Sequence, residues 1–251
     1  MSSHALGDVT VIIPARDAAH TLPATLRSIV DPFGSDRPQV IVVDDRSTDD
    51  TSRVATAAGA SVRVLRTEGV GPGAARNAGI ALATTPFVAF CDADDRWPPG
   101  RLVDDLAAFG VRPDLQVLLG RTRFDADDPS LLAGLHFDSD DLTAVIPHFG
   151  AATVRRAVFD ETGPILEGTA NYEDYDWFLR VREVGSRMVV HDRVVMWRSV
   201  HGASMSRLRP PQPADLLTVL QRSVHRRRAE GAPDTLPRLA DLRLPVAEAP
   251  S

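Results

Sequence analysis

A tight group of carboxylates follows an apolar run in the middle of the chain. In FVAFCDADDRW, residues 87–97, Asp92, Asp94 and Asp95 come directly after the apolar residues. Carboxylates this close repel one another, and a divalent cation or the hydroxyl groups of a ligand would offset the cost of keeping them ionised. A D-x-D pattern after a buried strand therefore predicts a Mg²⁺ or Mn²⁺ site for a diphosphate. For an isolated D-x-D motif, a solvated acidic turn would be the better explanation.

A second pair of carboxylates stands at the end of another apolar run. In VIVVDDRSTDDT, residues 40–51, Asp44 and Asp45 separate a strand-like stretch from the start of a helix. One of these carboxylates can cap the following turn, and the other can accept hydrogen bonds from a nucleobase imide or a ribose hydroxyl. The pair indicates a nucleotide site, although capping would explain either residue alone.

A glycine-rich segment leads into a predicted helix. In GVGPGAARNAGIALA, residues 69–83, Arg76 and Asn77 fall in the first turns of that helix. Glycine-rich loops at helix starts approach phosphate closely, and an arginine adds charge-assisted hydrogen bonds. The segment lacks the G-x-G-x-x-G spacing of a dinucleotide site. Gly71 and Gly73 are therefore equally explained as turn residues.

Two further motifs lie in the second half of the chain. In NYEDYDWFLRV, residues 171–181, Glu173 and Asp174 begin a predicted helix, where acidic residues are also favoured by the helix dipole. In MWRSVHGASMS, residues 196–206, His201 follows a predicted strand. An imidazole there could contact a metal or a diphosphate, or serve a structural role.

The elements that must position these motifs alternate between strand and helix. Short apolar runs at 9–13, 40–43, 62–65 and 87–90 predict buried strands of a largely parallel sheet. Helices are predicted at about 21–30, after Ser47 and at about 74–83. Ligands of such sheets bind at the carboxyl ends of the strands, where the acidic clusters lie.

The second half gives a less regular pattern. We predict helices at about 101–109, 173–184 and 214–230, and strands at 116–119 and 188–197. An Asp-rich loop at 125–129 is followed by no strong periodicity until about residue 151. From Gly231 the chain is rich in Pro, Ala and Arg, which predicts a flexible tail.

Composition excludes several classes of function. The 251 residues, 43% hydrophobic and 25% charged, suit one α/β domain with a short appendage. A formal net charge of −6 argues against nucleic acid as a partner. All 28 residues counted as Lys+Arg are arginine, which excludes Walker-type phosphate loops and lysine Schiff bases.

The same sequence leads us to expect a cytoplasmic protein. The single cysteine, Cys91, fits a reducing compartment and a small buried strand residue. The N-terminus has no signal-peptide pattern, and no window reaches the ~18 apolar residues of a membrane span. We therefore expect no transmembrane segment, and we leave peripheral contact with a membrane open.

In their order along the chain, these motifs resemble glycosyltransferase family 2, a group of GT-A enzymes. The resemblance covers about residues 8–207 and rests on V-I-I-P, V-V-D-D-R-S-T-D-D-T, G-P-G-A-A-R-N-A-G, D-A-D-D, E-D-Y-D-W-F-L-R and R-S-V-H-G-A-S-M-S. It implies an α/β GT-A fold, with a donor half at about 8–100 and an acceptor half at about 101–207. A C-terminal helix at 208–230 and a flexible tail at 231–251 would follow.

The resemblance also implies roles for individual residues. Asp44 or Asp45 would contact the nucleobase, Asp174 would be the general base, and His201 would contact the metal or the diphosphate. The predicted donor-binding residues are Pro14, Asp44, Asp45, Gly73, Arg76, Asp92 and Asp94, and the predicted metal ligands are Asp94, Asp95 and His201. The family often has Asn at the position of Asp17 and Gly at that of Arg46, which leaves the nucleotide preference open.

The implied reaction is an inverting transfer of a sugar from a nucleotide-diphosphate sugar to a hydroxyl of a glycan, lipid or small molecule, with Mg²⁺ or Mn²⁺ assisting. Two alternatives stay open. A sugar-phosphate nucleotidyltransferase would normally open with a glycine-rich loop ending in lysine, which this chain lacks. A catalytically silent nucleotide-sugar-binding domain is disfavoured by the retained Glu173–Asp174 pair.

Overall fold

A computed structural model describes residues 4–30, 36–133, 135–169, 171–202, 212–231 and 235–243. Within these residues, helices pack around one eight-stranded sheet whose strand order is β3-β2-β1-β4-β7-β5-β6, with β8 pairing β5. The predicted acidic motifs lie at the ends or starts of these elements. The strand order therefore determines which motifs lie close together.

The first half of the chain forms a parallel unit. Its strands are β1 (Val9–Ala15), β2 (Gln39–Asp45), β3 (Val62–Thr67) and β4 (Phe87–Phe90), and its helices are α1 (Leu22–Val30), α2 (Thr51–Ala57) and α3 (Pro72–Leu82). The apolar residues of β1, β2 and β4 are buried, as expected for inner strands covered on both faces. All three strand pairs in this unit are parallel, which agrees with the predicted sheet.

The second half extends the sheet in a mixed way. Its elements are α4 (Arg101–Val111), β5 (Val117–Asp125), β6 (Thr143–Ala144), β7 (Ala152–Arg155), α5 (Ala157–Thr162), α6 (Glu173–Glu183), β8 (Met188–Ser199) and α7 (Pro213–Glu230). Strand β7 runs antiparallel to both β4 and β5, and so joins the two halves of the sheet. Strand β8 lies parallel to β5. The sheet is therefore mostly parallel.

An aromatic cluster packs beneath the carboxyl end of β4 and the start of α6. Phe149 lies 5.0 Å from Phe90 and 5.2 Å from Trp177 between ring centroids. Phe159 stacks on Trp177 at 4.9 Å. Because Trp177 is on α6, this cluster packs α6 against the end of β4.

Ion pairs connect the C-terminal helix, α7, to α6. Arg226 of α7 donates to Asp176 at 3.1 Å and to Glu183 at 2.7 Å. Part of the expected flexible tail is packed, because Leu239 and Leu242 lie against the core and Arg243 forms a bridge with Val190. Residues 232–234 and 244–251 of that tail lie outside the described residues. No helix in the described ranges combines the length and the apolar character that crossing a bilayer requires.

Candidate active site

Predicted donor-side positions lie at the carboxyl ends of neighbouring parallel strands. Pro14 lies near the end of β1 and is in register with Val43 of β2. Asp44 and Asp45 are the last residues of β2, and Asp92 follows β4. Since β2 and β4 flank β1, the first two acidic motifs share one edge of the sheet.

The Asp44 side chain is fully buried and binds the turn that follows it. Its carboxylate accepts a hydrogen bond from the backbone N–H of Ser47 at 2.8 Å and another from the Ser52 hydroxyl. Burial alone would raise the pKa of Asp44, but the Ser47 and Ser52 hydrogen bonds and the charge of Arg66 lower it below its usual value. These contacts give Asp44 the capping role that the sequence left open.

Asp45 binds the glycine-rich loop instead. Its Oδ1 accepts from the Thr67 hydroxyl at 2.6 Å and the Val70 N–H at 2.8 Å, and its Oδ2 accepts from the Gly71 N–H at 2.8 Å. Asp45 therefore fixes the loop that leads into α3. A nucleobase contact by either aspartate stays a prediction, because both carboxylates are already hydrogen-bonded within the chain.

The two departures from the family pattern occupy left-handed backbone. Asp17 has a φ of 47° and Arg46 a φ of 61°. Asn and Gly, which the family often has at these positions, tolerate this conformation best. The Asp17 carboxylate also accepts from the Thr48 N–H at 2.7 Å, which joins the turn after β1 to the turn after β2.

The glycine-rich segment packs on the loop before α6. A Cβ on Gly73 would lie 2.2 Å from the carbonyl oxygen of Leu166. Asn77 donates to the carbonyl oxygen of Ile165 and accepts from its N–H, each at 2.8 Å. The need for glycine at position 73 is thus explained by this close approach, and a contact with the donor there stays a prediction.

Arg76 connects the two halves of the chain. Its side chain is 4% exposed, and it donates to Asp92 Oδ1 at 2.8 Å and to Glu173 Oε1 at 3.0 Å. The guanidinium also lies 5.4 Å from the ring centroid of Phe149. Because Arg76 is on α3, Asp92 after β4 and Glu173 on α6, one buried cation holds three elements together. A contact between Arg76 and the donor stays a prediction.

The D-A-D-D motif presents carboxylates with different surroundings. Thr25 donates to the Asp95 carbonyl oxygen at 2.8 Å, which fixes the loop. The buried Asp95 carboxylate accepts from the Ser199 N–H at 2.9 Å, whereas Asp94 is partly exposed and lies 3.1 Å from His201 Nε2. Burial and the neighbouring aspartates raise the pKa of both Asp94 and Asp95.

Asp94 and His201 fit a divalent cation as part of a larger ligand set. No group of three His, Cys, Asp or Glu side chains suited to a metal occurs in the described ranges. Mg²⁺ and related ions are commonly bound by one or two carboxylates together with substrate phosphates and water. Burial and the charge of Asp92 raise the pKa of Asp94, and a bound cation would favour its ionised form. Residues 203–206, the end of the His201 motif, lie outside the described residues.

The surroundings of Asp174 favour its neutral form. It is the second residue of α6, and its Oδ1 is buried without a hydrogen-bond partner among the described residues. Burial, the largest influence, raises the pKa of Asp174 to about 8. Glu173 and Asp92 act in the same direction, whereas the charges of Arg76 and Arg198 oppose them. A carboxyl with this pKa exchanges protons near neutral pH.

The other acidic residues of this helix are committed to ion pairs. Glu173 accepts from Arg76 at 3.0 Å. Asp176 accepts from Arg180 at 2.9 Å and from Arg226 at 3.1 Å. A carboxylate held in an ion pair with arginine is a poor proton acceptor, which distinguishes Asp174 from Glu173 and Asp176.

Sequence reasoning missed two residues that face this site. Arg198 on β8 lies close enough to Asp92, Asp95 and Asp174 for its charge to oppose the burial of all three. Its position three residues before His201, at the start of the R-S-V-H-G-A-S-M-S motif, was the available signal. His148 lies 3.6 Å from Asp92 and 3.7 Å from Asp174, measured from Nε2 to Oδ2, and the sequence around it carries no motif.

The geometry can be compared with that of solved structures. The chain is similar to TarS of S. aureus in complex with UDP-GlcNAc, with a TM-score of 0.69 and 20% identity, covering 86% of this chain and 65% of that one. It is also similar to the mannosyltransferase PcManGT from Pyrobaculum calidifontis in complex with GDP-Man and Mn²⁺, with a TM-score of 0.65 and 19% identity, covering 87% and 64%. These similarities confirm the predicted GT-A fold.

Sequence comparisons extend this result. The succinoglycan biosynthesis protein ExoU of Rhizobium meliloti is 31% identical over 228 residues, which are 82% of this chain and 66% of ExoU. The pre-mycofactocin glycosyltransferase of Mycobacterium tuberculosis is 32% identical over 200 residues, which are 72% of this chain and 40% of that protein. The chain thus spans two thirds or less of the length of these relatives. Residues 10–163 match the profile of glycosyl transferase family 2. The chain belongs to glycosyl transferase family 2.

Proposed function

We propose that this chain transfers a sugar from a nucleoside diphosphate sugar to an acceptor hydroxyl with inversion, and that Asp174 is the general base. The observation that carries the proposal is the Asp174 carboxylate, whose buried Oδ1 has no hydrogen-bond partner among the described residues and whose pKa is about 8. A base is most effective when its pKa lies near the working pH. A domain that only bound nucleotide sugars would have no need of a carboxylate whose pKa lies near the working pH.

We infer the class of donor from the ligands of similar solved structures and from the residues at the carboxyl ends of the parallel strands. UDP-GlcNAc is bound in the TarS structure and GDP-Man in the PcManGT structure. In this chain, a donor would lie along the carboxyl ends of β1, β2 and β4, between Pro14 and Asp92. Arg198, close to Asp92 and Asp95, supplies positive charge where a diphosphate would lie.

The reaction is a single displacement. Asp174 takes the proton of the acceptor hydroxyl, and the acceptor oxygen forms a bond with the anomeric carbon. The bond from that carbon to the phosphate oxygen breaks, and the nucleoside diphosphate leaves with the electron pair. One displacement inverts the anomeric centre. When bound, Mg²⁺ or Mn²⁺ would neutralise charge on the diphosphate. Asp94 and His201 would hold the metal, with Asp95 beside them.

A donor panel tests this function. UDP-, GDP-, dTDP- and CDP-sugars are incubated with the chain, Mn²⁺ and candidate hydroxyl acceptors, and the release of nucleoside diphosphate is measured. We expect one nucleotide to raise the melting temperature with Mn²⁺ and to be released in the assay, because ligands of the folded state stabilise it. NMR of the product gives its anomeric configuration. Retention of configuration, or no stabilisation by any nucleotide, would contradict the proposal.

A further inference from the structure

His148 is held in one orientation and one tautomer by the turn it begins. It is buried, and its Nδ1 accepts a hydrogen bond from the Gly150 N–H at 3.0 Å. A neutral imidazole that accepts at Nδ1 carries its proton on Nε2. A Cβ at position 150 would lie 2.4 Å from the Met196 sulfur and 2.9 Å from His148 Nδ1, so the turn that holds the ring requires glycine there. The ring therefore presents an N–H in a fixed direction.

That N–H faces the two carboxylates on which the proposed reaction depends. Nε2 lies 3.6 Å from Asp92 Oδ2 and 3.7 Å from Asp174 Oδ2. A shift of about 0.5 Å would bring either oxygen within hydrogen-bonding distance. Burial lowers the pKa of His148 to about 3. The charges of Arg198 and Arg76 also lower this pKa, whereas the charge of Asp92 raises it. The imidazole is therefore neutral and makes no ion pair with either carboxylate.

We propose that His148 is a positioning residue whose Nε2–H hydrogen-bonds to the Asp174 carboxylate and orients it as the base, with Asp92 on the other side of the same N–H. This inference rests on the proposed function. A neutral donor suits the task, because an arginine or lysine in its place would lower the basicity of Asp174 much more strongly. The charged groups that face Asp174 from the surrounding elements are Arg76, Glu173, Asp92 and Arg198.

Two substitutions at position 148 distinguish the positioning role of His148 from a purely structural role. The carbonyl oxygen of Asn can replace Nδ1 as the acceptor from Gly150, so His148→Asn keeps the turn but removes the donor. The amide of Gln can reach the position of Nε2, so His148→Gln keeps a donor. We expect His148→Asn to lower kcat about 10- to 100-fold, by analogy with residues that orient metal-ligating side chains. KM for the donor sugar should change little, and His148→Gln should recover most of kcat.

A second histidine provides a matched control. The Nδ1 of His191 accepts from the Arg193 N–H at 3.1 Å, and its Nε2 lies 3.6 Å from the buried Asp105 carboxylate. His191→Asn therefore removes the same kind of N–H outside the proposed site. We expect it to affect the melting temperature and to leave kcat unchanged. Equal kcat losses in both Asn variants would show a structural role for His148 and overturn the inference.

The Asp174→Asn background distinguishes failure of the inference from failure of the proposed function. If His148 acts through Asp174, adding His148→Asn to Asp174→Asn produces no further loss. Full activity of Asp174→Asn alone would overturn the base assignment itself, and the inference with it. An impaired Asp174→Asn beside a fully active His148→Asn overturns only the inference.

In ¹⁵N NMR we expect His148 as the neutral Nε2–H tautomer from pH 5 to 8, and titration near pH 6.5 would contradict the inference without reference to activity.

Discussion

Replacing Arg76 tests whether one buried cation holds the two halves of the site together. Arg76→Met removes the charge and leaves the carboxylates of Asp92 and Glu173, now 2.8 Å and 3.0 Å from its nitrogens, without their partner. Breaking a buried ion pair in this way typically costs ~3–5 kcal/mol of unfolding free energy. In a domain of this size that corresponds to a melting temperature lower by roughly 6–20 °C. Urea unfolding at pH 7 measures the free energy directly.

Two control variants and a pH series sharpen this test. Arg76→Lys keeps the charge but cannot contact both carboxylates as the guanidinium fork does, so its loss should be intermediate. Arg53→Met breaks an exposed pair with Asp50 and should leave the melting temperature unchanged.

The pH series follows from the ionisation of Asp92. Burial raises the pKa of Asp92, but the charges of Arg76 and Arg198 bring it below the usual value. Its stabilising contribution is therefore present above about pH 4 and lost as the pH falls through its lowered pKa. The difference between wild type and Arg76→Met should shrink in acid. A stability loss below ~1 kcal/mol at pH 7, or a difference that stays constant down to pH 3, would refute the connecting role of Arg76.

Three further outcomes follow from the structure. Since Asp174 must lose its proton to act as a base, kcat/KM should rise with pH through about 8, and a flat profile from pH 6 to 9 would contradict the assignment. Asp44→Ala should lower the unfolding free energy by ~2–3 kcal/mol because it removes the acceptor for Ser47 and Ser52; unchanged stability with lost donor affinity would favour the nucleobase role instead. Arg46→Gly should raise the melting temperature by a few degrees, because it relieves ~1 kcal/mol of left-handed strain at a φ of 61°; a lower melting temperature would show that the Arg46 side chain contributes more than that strain costs.

The strands that the sequence predicted best are those buried on both faces. A continuous apolar run is sufficient to locate β4, and the predicted bounds of β1 and β2 differ from the observed ones by two residues or fewer. Strand β6 has only Thr143 and Ala144, which is too short for any periodicity. Strand β7 was also missed, although it joins the halves of the sheet, because its four residues follow a turn without a recognisable signal.

The site was predictable where residue type decides the chemistry and not where distant contacts decide it. Acidic residues at the ends of apolar runs located the sheet edge. The pairing of Arg76 with Glu173 joins residues 97 positions apart, and nothing in either motif encodes it. The same holds for His148, whose position near Asp174 depends on the antiparallel insertion of β7 between β4 and β5.

The most direct test of the central claim is the turnover of Asp174→Asn. Asn keeps the shape and the neutral form that burial favours but cannot accept the proton. A raised pKa penalises the folded state as the pH rises toward 8, so this variant should be at least as stable as wild type at pH 8.

Glu173→Gln is the matched control, because its amide oxygen can still accept from Arg76. We expect Asp174→Asn to lose ~10²–10⁴ in kcat with unchanged donor affinity, while Glu173→Gln loses far less. A kcat for Asp174→Asn within a few fold of wild type, in a folded protein that binds the donor, would contradict the account.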